Sequence, residues 1–213
     1  MSFYEFGKTE EFLLSLLPSA PEPSLSKVAE EAKKAGVPIV CDTGGQLLKL
    51  VTVMTRPARV LEIGTGIGYS GLIILLNSDA RLYTVDFDEV SLERARKNFA
   101  RFGMGTRARL YAGDAGDILP MIEGKFDLIF LDGPKGRYYE YLPYLIDLLP
   151  KGGVLLCDNV LYSGRMAGER ELPHSKHTIA DRLSIFLDRV SHDDRLITSV
   201  LPVGDGMSLS VRV

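Results

Sequence analysis

The sequence predicts an α/β protein with a seven-stranded, mostly parallel sheet, one antiparallel strand and helices on both faces. Three observations support this fold class. From about residue 58, short apolar runs alternate with amphipathic stretches, as they do in parallel sheets whose two faces are covered by helices. The first apolar run leads into a glycine-rich turn that opens a helix. The chain ends in two strand-like runs joined by Gly-Asp-Gly, which is typical of a hairpin.

Residues 1–57 are expected to form a helical cap, and residues 58–213 to form the core that carries the sheet. Helical patterns cover three stretches of the cap, namely residues 8–18, 24–36 and 43–56. Pro57 ends the last of them because its ring cannot continue a helix. A segment of this length is too short to bury a core of its own. We therefore expect a single domain over residues 1–213.

The core alternates strands and helices in a regular order. The expected strands are RVLEIG, RLYTVD, ARLYAGD, FDLIFLD and GGVLLCD, followed by the hairpin runs RLITSVLPV and MSLSVRV. The expected helices between them are YSGLIILLN, EVSLERARKNFARFG and YYEYLPYLIDLL. In the second of these helices the apolar residues share one face, and Gly103 marks its end.

Composition and charge are those of an ordinary globular chain. The 213 residues are 46% hydrophobic and 25% charged, with a formal net charge of −3. Acidic and basic residues are interspersed, which argues against a broad basic face for nucleic acid. No signal-peptide pattern and no apolar run of about 18 residues occurs, so we expect a cytoplasmic protein without membrane association. Cys41 and Cys157 are expected to be buried free thiols.

The turn after the first strand raises the question of the charge of its ligand. Gly66, Gly68 and Gly71 match the G-x-G-x-x-G pattern that cradles a dinucleotide pyrophosphate. Glu62 is expected at the mouth of this turn, and a carboxylate 4 Å from a phosphate is repelled by about 4 kcal/mol at an effective dielectric constant near 20. The sulfonium and ammonium groups of S-adenosylmethionine would be attracted instead. Asp86 suits a ribose hydroxyl of either ligand, so Glu62 is the residue that favours an adenosyl cofactor. A Glu62 that pairs with a nearby lysine or backbone amide is the structural alternative.

A second group of polar residues follows the fourth and fifth strands. Asp132 and Lys135 come after one strand, and Asp158 and Asn159 come after the next. If these strands are neighbours, their ends lie about 4.8 Å apart, and the three oxygen-bearing side chains could share one hard cation such as Mg²⁺. The cation would activate an acceptor hydroxyl, and Lys135 would take its proton. Each residue also has a structural explanation, since acids are common at strand ends and Asp-Asn pairs cap following segments.

Several motifs resemble those of a known family. LEIGTGIGYS, the acid in TVDFD, and AGDA are similar to the cofactor motifs of class I S-adenosylmethionine-dependent methyltransferases. D-x-x-K after one strand and DNVLYSGR after the next resemble the cation-dependent O-methyltransferases of the caffeoyl-CoA and catechol group, in its bacterial branch. VPIVCDTGGQLLKLV and LPVGDGMSLSVR resemble segments of the same group, so the likeness runs from about residue 24 to the end.

The resemblance implies a Rossmann-like class I methyltransferase fold, a homodimer and specific site residues. The cofactor contacts that it implies are Val40, Glu62, Gly64, Thr65, Gly66, Gly68, Ser70, Asp86, Asp114, Ala115 and Asp132. The metal ligands that it implies are Asp132, Asp158 and Asn159, for Mg²⁺ foremost and otherwise Mn²⁺ or Ca²⁺. Lys135 is implied as the catalytic base.

The expected function is methylation of a hydroxyl on a small catechol-like or hydroxylated aromatic acceptor. The main alternative is a tRNA methyltransferase acting on wobble 5-hydroxyuridine, whose neighbouring oxygens a metal could also chelate. Basic residues that could contact phosphates flank the site, namely Arg137, Arg165, Arg170, Lys176 and Arg182. Glu169, Glu171 and Asp181 are interleaved with them, so residues 167–182 are interpreted as a solvated loop.

Two further classes of protein fit the sequence less well. A nicotinamide-dependent oxidoreductase would explain the glycine pattern but leaves Asp132, Asp158 and Asn159 without a role. A non-catalytic adenosyl-binding protein would not need Lys135. The H-x-x-H pair His174 and His177 has no third metal ligand nearby and is not interpreted as a zinc site.

Overall fold

A computed structural model describes residues 12, 15–16, 20–162 and 177–213 of the chain. Its helices there are α1 (Ser26–Ala35), α2 (Asp42–Thr55), α3 (Tyr69–Leu76), α4 (Glu89–Arg101), α5 (Ala115–Ile118), α6 (Tyr138–Leu148) and α7 (His177–His192). Short 3₁₀ turns lie at Pro23–Leu25, Leu119–Met121 and Lys135–Arg137. The expected helix over residues 8–18 lies outside the described residues except for 12, 15 and 16, which are helical.

The sheet has seven strands and the predicted mixture of directions. Its strands are β1 (Arg59–Ile63), β2 (Arg81–Asp86), β3 (Ala108–Ala112), β4 (Leu128–Leu131), β5 (Val154–Cys157), β6 (Leu196–Leu201) and β7 (Met207–Arg212). Their spatial order is β3-β2-β1-β4-β5-β7-β6. All neighbouring pairs from β3 to β5 are parallel, and β7 runs antiparallel to both β5 and β6. The hairpin therefore places the one antiparallel strand inside the sheet, with β6 at its edge.

Helices cover both faces of the sheet, as the near-continuous apolar strands predict. On one face α5, α6 and α7 pack against alternate strand residues that include Leu61, Ile129 and Leu155. On the other face α1 to α4 pack against the residues between them, such as Val60 and Leu128. Because α1 and α2 cover one face together with α3 and α4, the described part of the N-terminal segment shares the core of the sheet.

Helix α7 corrects one expectation from the sequence. Residues 167–182 were interpreted as a solvated loop, but α7 begins at His177, so Asp181 and Arg182 are helical. The buried residues Ala180, Leu183, Phe186 and Val190 recur every three or four positions, which is helical spacing. Within the described parts of the chain, no helix is long and apolar enough to cross a membrane.

The two cysteines differ in their surroundings. Both are free thiols, but only Cys157 is buried, while Cys41 is exposed just before α2. The expectation that both are buried is therefore wrong for Cys41. Burial raises the pKa of the Cys157 thiol to about 12. Cys157 ends β5 inside the core, and its chemistry is that of a small apolar side chain.

Candidate active site

A cleft of about 940 Å³ lies at the carboxyl ends of the central parallel strands. A smaller cavity of about 270 Å³ adjoins it between the ends of β1, β2 and β4. Ligands of open α/β sheets bind at this edge, where the loops after the strands leave room. The cleft is lined from five directions: residues 37–43, the glycine turn, Asp86–Asp88, the ends of β4 and β5, and the β6–β7 turn.

The glycine turn holds a backbone that other residues would strain. Gly64, Gly66 and Gly68 have φ angles of 99°, 49° and 84°. A Cβ atom on Gly64 would lie 2.2 Å from the carbonyl oxygen of Asp132, so the turn is packed directly against the end of β4. Gly71 serves helix packing instead, because a Cβ there would lie 2.7 Å from a methyl of Leu82. The G-x-G-x-x-G match thus combines two separate steric requirements.

Glu62 lies beneath the turn and does not line the cleft. Its side chain is fully buried, and its two carboxylate oxygens accept hydrogen bonds of 2.6 Å from the hydroxyls of Ser70 and Thr84. Burial raises the pKa of Glu62 to about 7, against the lowering effect of these two hydroxyls. The expected place of Glu62 at the mouth of the turn is therefore corrected, as is the alternative of a lysine or amide partner. Ser70 lines the cleft in its place.

The other acids near the turn also have donors of their own. Asp86 accepts hydrogen bonds from the backbone N–H groups of Gly66, at 2.8 Å, and Asp88, at 3.0 Å, and it lines both cavities. Asp114 accepts one of 2.7 Å from the N–H of Gly116 and forms a 3.6 Å ion pair with Arg137. On this side of the cleft each carboxylate therefore orders the backbone or side chains around it.

The remaining predicted cofactor residues surround the same space. Val40 and Thr65 line the cleft, and Asp114 and Ala115 line the smaller cavity. The hydroxyl of Thr65 lies 2.6 Å from that of Thr84, which joins it to the hydrogen bonds around Glu62. The structure thus brings these residues together at one edge of the sheet.

The ends of β4 and β5 meet as the sequence predicts. These strands are parallel neighbours, and the N–H of Asp158 donates a 2.9 Å hydrogen bond to the carbonyl of Leu131. Asp132 and Asp158 therefore follow adjacent strands at the same level. The ammonium of Lys135 donates a 3.0 Å hydrogen bond to Asp132, and the N–H of Asn159 donates one of 2.6 Å to Asp158. All four residues line the cleft.

The electrostatics of this group suit a divalent cation. Burial, and then the charge of Asp132, raise the pKa of Asp158 to about 7, and burial also raises the pKa of Asp132. A cation between two such carboxylates would relieve both effects. Within the described residues no group of three or more His, Cys, Asp and Glu side chains could hold a metal. The oxygen-bearing side chains available here are those of Asp132, Asp158 and Asn159, a set whose chemistry fits Mg²⁺ and would leave positions for other oxygens.

Tyr138 joins the two strand ends and was missed by reasoning from the sequence. Its buried hydroxyl lies 3.3 Å from the carbonyl oxygen of Leu131 and 3.2 Å from that of Asp158. Its ring packs edge-on against Phe186 of α7. The only signal in the sequence is a tyrosine three residues after Lys135, which does not reveal the partners of its hydroxyl.

The β6–β7 turn brings one more carboxylate to the cleft. Residues 205 and 206 accept hydrogen bonds of 2.9 Å from the N–H groups of Leu161 and Val160, just after Asn159. A Cβ on Gly206 would lie 2.2 Å from Leu161, and one on Gly204 would lie 2.5 Å from the sulfur of Cys41. Asp205, between these glycines, lines the cleft. In the sequence, the Gly-Asp-Gly pattern predicts only a turn.

Of the basic residues predicted to flank the site, the structure describes Arg137 and Arg182. Arg137 is ion-paired with Asp114 and Glu140, and Arg182 donates a 3.5 Å hydrogen bond to the carbonyl of Gly136. The others lie outside the described residues, namely Arg165, Arg170 and Lys176, as do Glu169, Glu171 and His174.

Comparison with known proteins identifies relatives along nearly the whole chain. A family model described as O-methyltransferase matches residues 22–213. A Mycobacterium tuberculosis protein named "Probable O-methyltransferase" is 33% identical over 192 residues, which cover 88% of this chain and 84% of the relative. A catechol O-methyltransferase of Niastella koreensis is 28% identical over 216 residues, covering 97% of both chains.

Solved structures give the same picture. The SAH-bound methyltransferase of Podospora anserina superposes with a TM-score of 0.84 at 26% identity, covering 100% of this chain and 98% of the other. An O-methyltransferase structure from Klebsiella pneumoniae has a TM-score of 0.82 at 28% identity and covers 96% of both chains. The Rossmann-like class I methyltransferase fold expected from the sequence is thereby confirmed.

Proposed function

The chain belongs to the O-methyltransferase family, and on that premise we propose that it moves the methyl group of S-adenosylmethionine to a hydroxyl of a small catechol-like acceptor, with a divalent cation as cofactor. The observation that carries the proposal is the pairing of Asp132 and Asp158 on adjacent strand ends, with Lys135 beside them. This pair lies directly against the glycine turn, because Gly64 packs on the carbonyl of Asp132. Donor and acceptor sites would then share one cleft.

The methyl donor would occupy the side of the cleft formed by the glycine turn. Asp86 would bind the ribose hydroxyls, and the smaller cavity, lined by Asp114 and Ala115, would hold the adenine. Val40 and Ser70 line the space left for the methionine tail. Binding of SAH by the 26% identical Podospora anserina methyltransferase supports this cofactor. Glu62 would not contact the donor but would orient the hydroxyl of Ser70, which donates a hydrogen bond to its carboxylate and lines the cleft.

The cation would be held by Asp132, Asp158 and Asn159, with Mg²⁺ foremost and Mn²⁺ or Ca²⁺ as alternatives. Its oxygen donors match the preference of these hard ions. When bound, it supplies Lewis-acid activation and orientation of the acceptor hydroxyl. It would also neutralise the two carboxylates whose pKa values burial raises.

Lys135 would act as the base. Its ammonium contacts Asp132 at 3.0 Å, and a cation on that carboxylate would compete for the contact and favour the neutral amine. The amine would accept the proton of the acceptor hydroxyl as its oxygen attacks the methyl carbon. The bond between sulfur and that carbon breaks as the new bond to oxygen forms, which leaves a neutral thioether. Because the negative charge that develops on the oxygen and the positive charge of the sulfonium cancel in this step, alignment of the reactants within the cleft matters more than charge stabilisation.

A small acceptor fits the described residues better than tRNA. Arg137 and Arg182, the two described members of the basic set considered for tRNA, are engaged by Asp114, Glu140 and the carbonyl of Gly136. Asp205 adds a negative charge at the rim, where a phosphate would be repelled. The name of the Niastella koreensis relative, a catechol O-methyltransferase, supports a vicinal diol as acceptor.

The test is transfer of labelled methyl from S-adenosylmethionine to a panel of catechols and, in parallel, to tRNA carrying 5-hydroxyuridine. We expect incorporation into a catechol that excess chelator abolishes and added Mg²⁺ restores. Incorporation of labelled methyl into tRNA alone, with a steep dependence on salt, would show that tRNA and not a catechol is the acceptor. Full activity in excess chelator would contradict the proposed role of the cation.

We also propose that the chain forms a homodimer, as the family resemblance implies. The exposed side chains of Leu50, Val53 and Met54 on α2 supply an apolar surface of the kind that subunits bury. Sedimentation equilibrium should give twice the chain mass. A monomer at micromolar concentration would contradict the proposal.

A further inference from the structure

The smaller cavity contains a buried hydroxyl group that the fold does not use. Tyr141, on α6, is 1% exposed and lines this cavity of about 270 Å³. Its hydroxyl oxygen is buried and has no hydrogen-bond partner among the residues that the structure describes. Buried polar groups are nearly always paired, because an unpaired one forfeits its bonds to water. A hydroxyl in this state points to a partner that arrives with a ligand.

The other tyrosine on the inner face of α6 shows what a structural role looks like. Tyr138 is equally buried, and its hydroxyl lies within reach of two backbone carbonyls, those of Leu131 and Asp158. Tyr141 packs its ring near Gly116 and under the guanidinium of Arg137, and a phenylalanine would make both contacts. Packing therefore accounts for the ring of Tyr141 and leaves its oxygen unexplained.

The hydroxyl of Tyr141 is a donor throughout the physiological range. Burial, and next the negative charge of Asp114, raise its pKa to about 12. Neutral tyrosine therefore offers a proton to an acceptor atom, and a ring nitrogen of a purine is such an acceptor.

The walls of the cavity match a flat heterocycle. Ile63 and Val85 supply apolar surface, and Phe87 stands at the opening with most of its ring exposed. The carboxylate of Asp114 accepts hydrogen bonds and the hydroxyl of Tyr141 donates them, so the cavity offers both an acceptor and a donor. Adenine carries an amino donor and ring-nitrogen acceptors on one planar frame. Apolar walls with a few polar groups that fix orientation are the usual design of such pockets.

We propose that the hydroxyl of Tyr141 donates a hydrogen bond to a ring nitrogen of the adenine of the methyl donor and so helps to select that base. This inference rests on the proposed donor, S-adenosylmethionine, and adds a residue that reads its base. Tyr141 is a binding residue and takes no part in the transfer of the methyl group.

The first test compares Tyr141→Phe with Tyr144→Phe, which changes an exposed tyrosine of the same helix. Calorimetric titration with SAH should show a Kd three- to tenfold higher for Tyr141→Phe, the loss expected for one neutral hydrogen bond, and an unchanged Kd for Tyr144→Phe. Unliganded Tyr141→Phe should be at least as stable to urea as the parent protein, because the variant removes an unpaired buried hydroxyl. A merely structural hydroxyl would give the reverse pattern, with lower stability and unchanged affinity.

The second test identifies the atom that accepts the bond. SAH analogues in which ring nitrogen 1, 3 or 7 of the adenine is replaced by carbon are titrated into the parent protein and into Tyr141→Phe. One of them should bind the parent protein several-fold more weakly than SAH, and that difference should vanish in the variant. Equal affinity of parent and variant for SAH, or the same loss with each analogue in both, would overturn the inference alone. A parent protein that does not bind SAH would overturn both the inference and the proposed donor.

Discussion

The acidic residues on the two sides of the cleft differ in the donors and charges that surround them. On the side of the glycine turn, Glu62, Asp86 and Asp114 each accept hydrogen bonds from hydroxyls or backbone N–H groups of neighbouring residues. On the side of β4 and β5, burial and mutual repulsion raise the pKa of Asp158 to about 7, and burial raises the pKa of Asp132. Lys135 provides one contact to Asp132, and the N–H of Asn159 provides one to Asp158.

The difference shows on which side of the cleft the acidic residues already have their partners within the protein. Carboxylates with local donors order the turn and are satisfied before any ligand arrives. Buried carboxylates that repel each other are costly in the folded state, and the proposed cation would make their placement favourable. On the proposed function, the first side would hold its ligand by shape and the second would hold one by charge.

The largest effect is expected from Lys135→Ala, on the charged side. Loss of a general base lowers kcat by roughly 100-fold or more, while the affinity for SAH should stay within about twofold, because Lys135 does not belong to the donor side. Stopped assays with labelled donor and calorimetric titration with SAH measure the two quantities. Unchanged turnover would show that another group takes the proton.

Gly64→Ala should damage both sides, because Gly64 is where they touch. Its φ of 99° and the 2.2 Å approach of a Cβ to the carbonyl of Asp132 combine backbone strain with a steric clash. We expect unfolding by urea to show a loss of about 3 kcal/mol.

Gly36→Ala is the matched control for Gly64→Ala. Gly36 also has a positive φ, of 66°, but no atom lies within 4 Å of a Cβ placed there. This variant should lose only about 1 kcal/mol, the cost of the left-handed backbone alone. Equal losses in the two variants would mean that the contact between turn and strand end carries no strain.

The dependence of stability on pH tests the buried acid beneath the turn. The pKa of Glu62 is about 7 in the folded protein and near 4.5 in the unfolded chain, so the folded state holds the proton more tightly. Between these values the folded state binds more protons, and stability therefore falls as pH rises from 5 to 8. For this one residue the fall is roughly 2 kcal/mol.

Glu62→Gln should make this part of the profile less steep, as measured by urea unfolding at several pH values, and Asp158, whose pKa is also about 7, should carry part of the slope that remains. Ser70→Ala keeps the carboxyl group and removes one of the hydroxyls that lower its pKa, so the slope should persist in that variant. A Glu62→Gln profile as steep as that of the parent protein would place the titrating group elsewhere.

The smallest effect is expected from Asp205→Asn at the rim of the charged side. Its charge contributes to the raised pKa of Asp158, so it should also attract a cation. Loss of this half-buried charge should weaken Mn²⁺ binding by about threefold. Asp79 is an exposed acid just before β2, at the amino ends of the parallel strands and away from the cleft. Asp79→Asn is therefore the control and should leave the affinity for Mn²⁺ unchanged. A loss of affinity as great in the control would indicate a general effect of net charge.

Much of the frame of the site follows from local patterns. Apolar runs and glycines predict the strands and the turn, and a parallel sheet places Asp132 and Asp158 at one edge. The adjacency of β4 and β5 follows because consecutive strands joined by a helix usually lie side by side. Each of these features depends on residues at short separations in the sequence, which a local pattern can reveal.

The depth and partners of individual side chains do not follow from such patterns. Glu62 is buried because strand residues alternate between faces, and its position turns it beneath α3 rather than into the cleft. The contact of the Tyr138 hydroxyl with the carbonyl of Asp158 and the approach of Asp205 to the end of β5 are tertiary contacts that no local pattern reveals. Helix α7 had a readable period, but the mixed charges at its start concealed it.

The central claim is that the two strand-end carboxylates hold a divalent cation beside the methyl donor. Its most direct test is a titration of Mn²⁺, followed by electron paramagnetic resonance, into the SAH-bound protein and into Asp132→Asn and Asp158→Asn. We predict one tight Mn²⁺ per chain in the parent protein, lost in both variants, while Asp158→Asn keeps its affinity for SAH. A parent protein that binds no Mn²⁺, or variants that bind it as well as the parent does, would contradict the account.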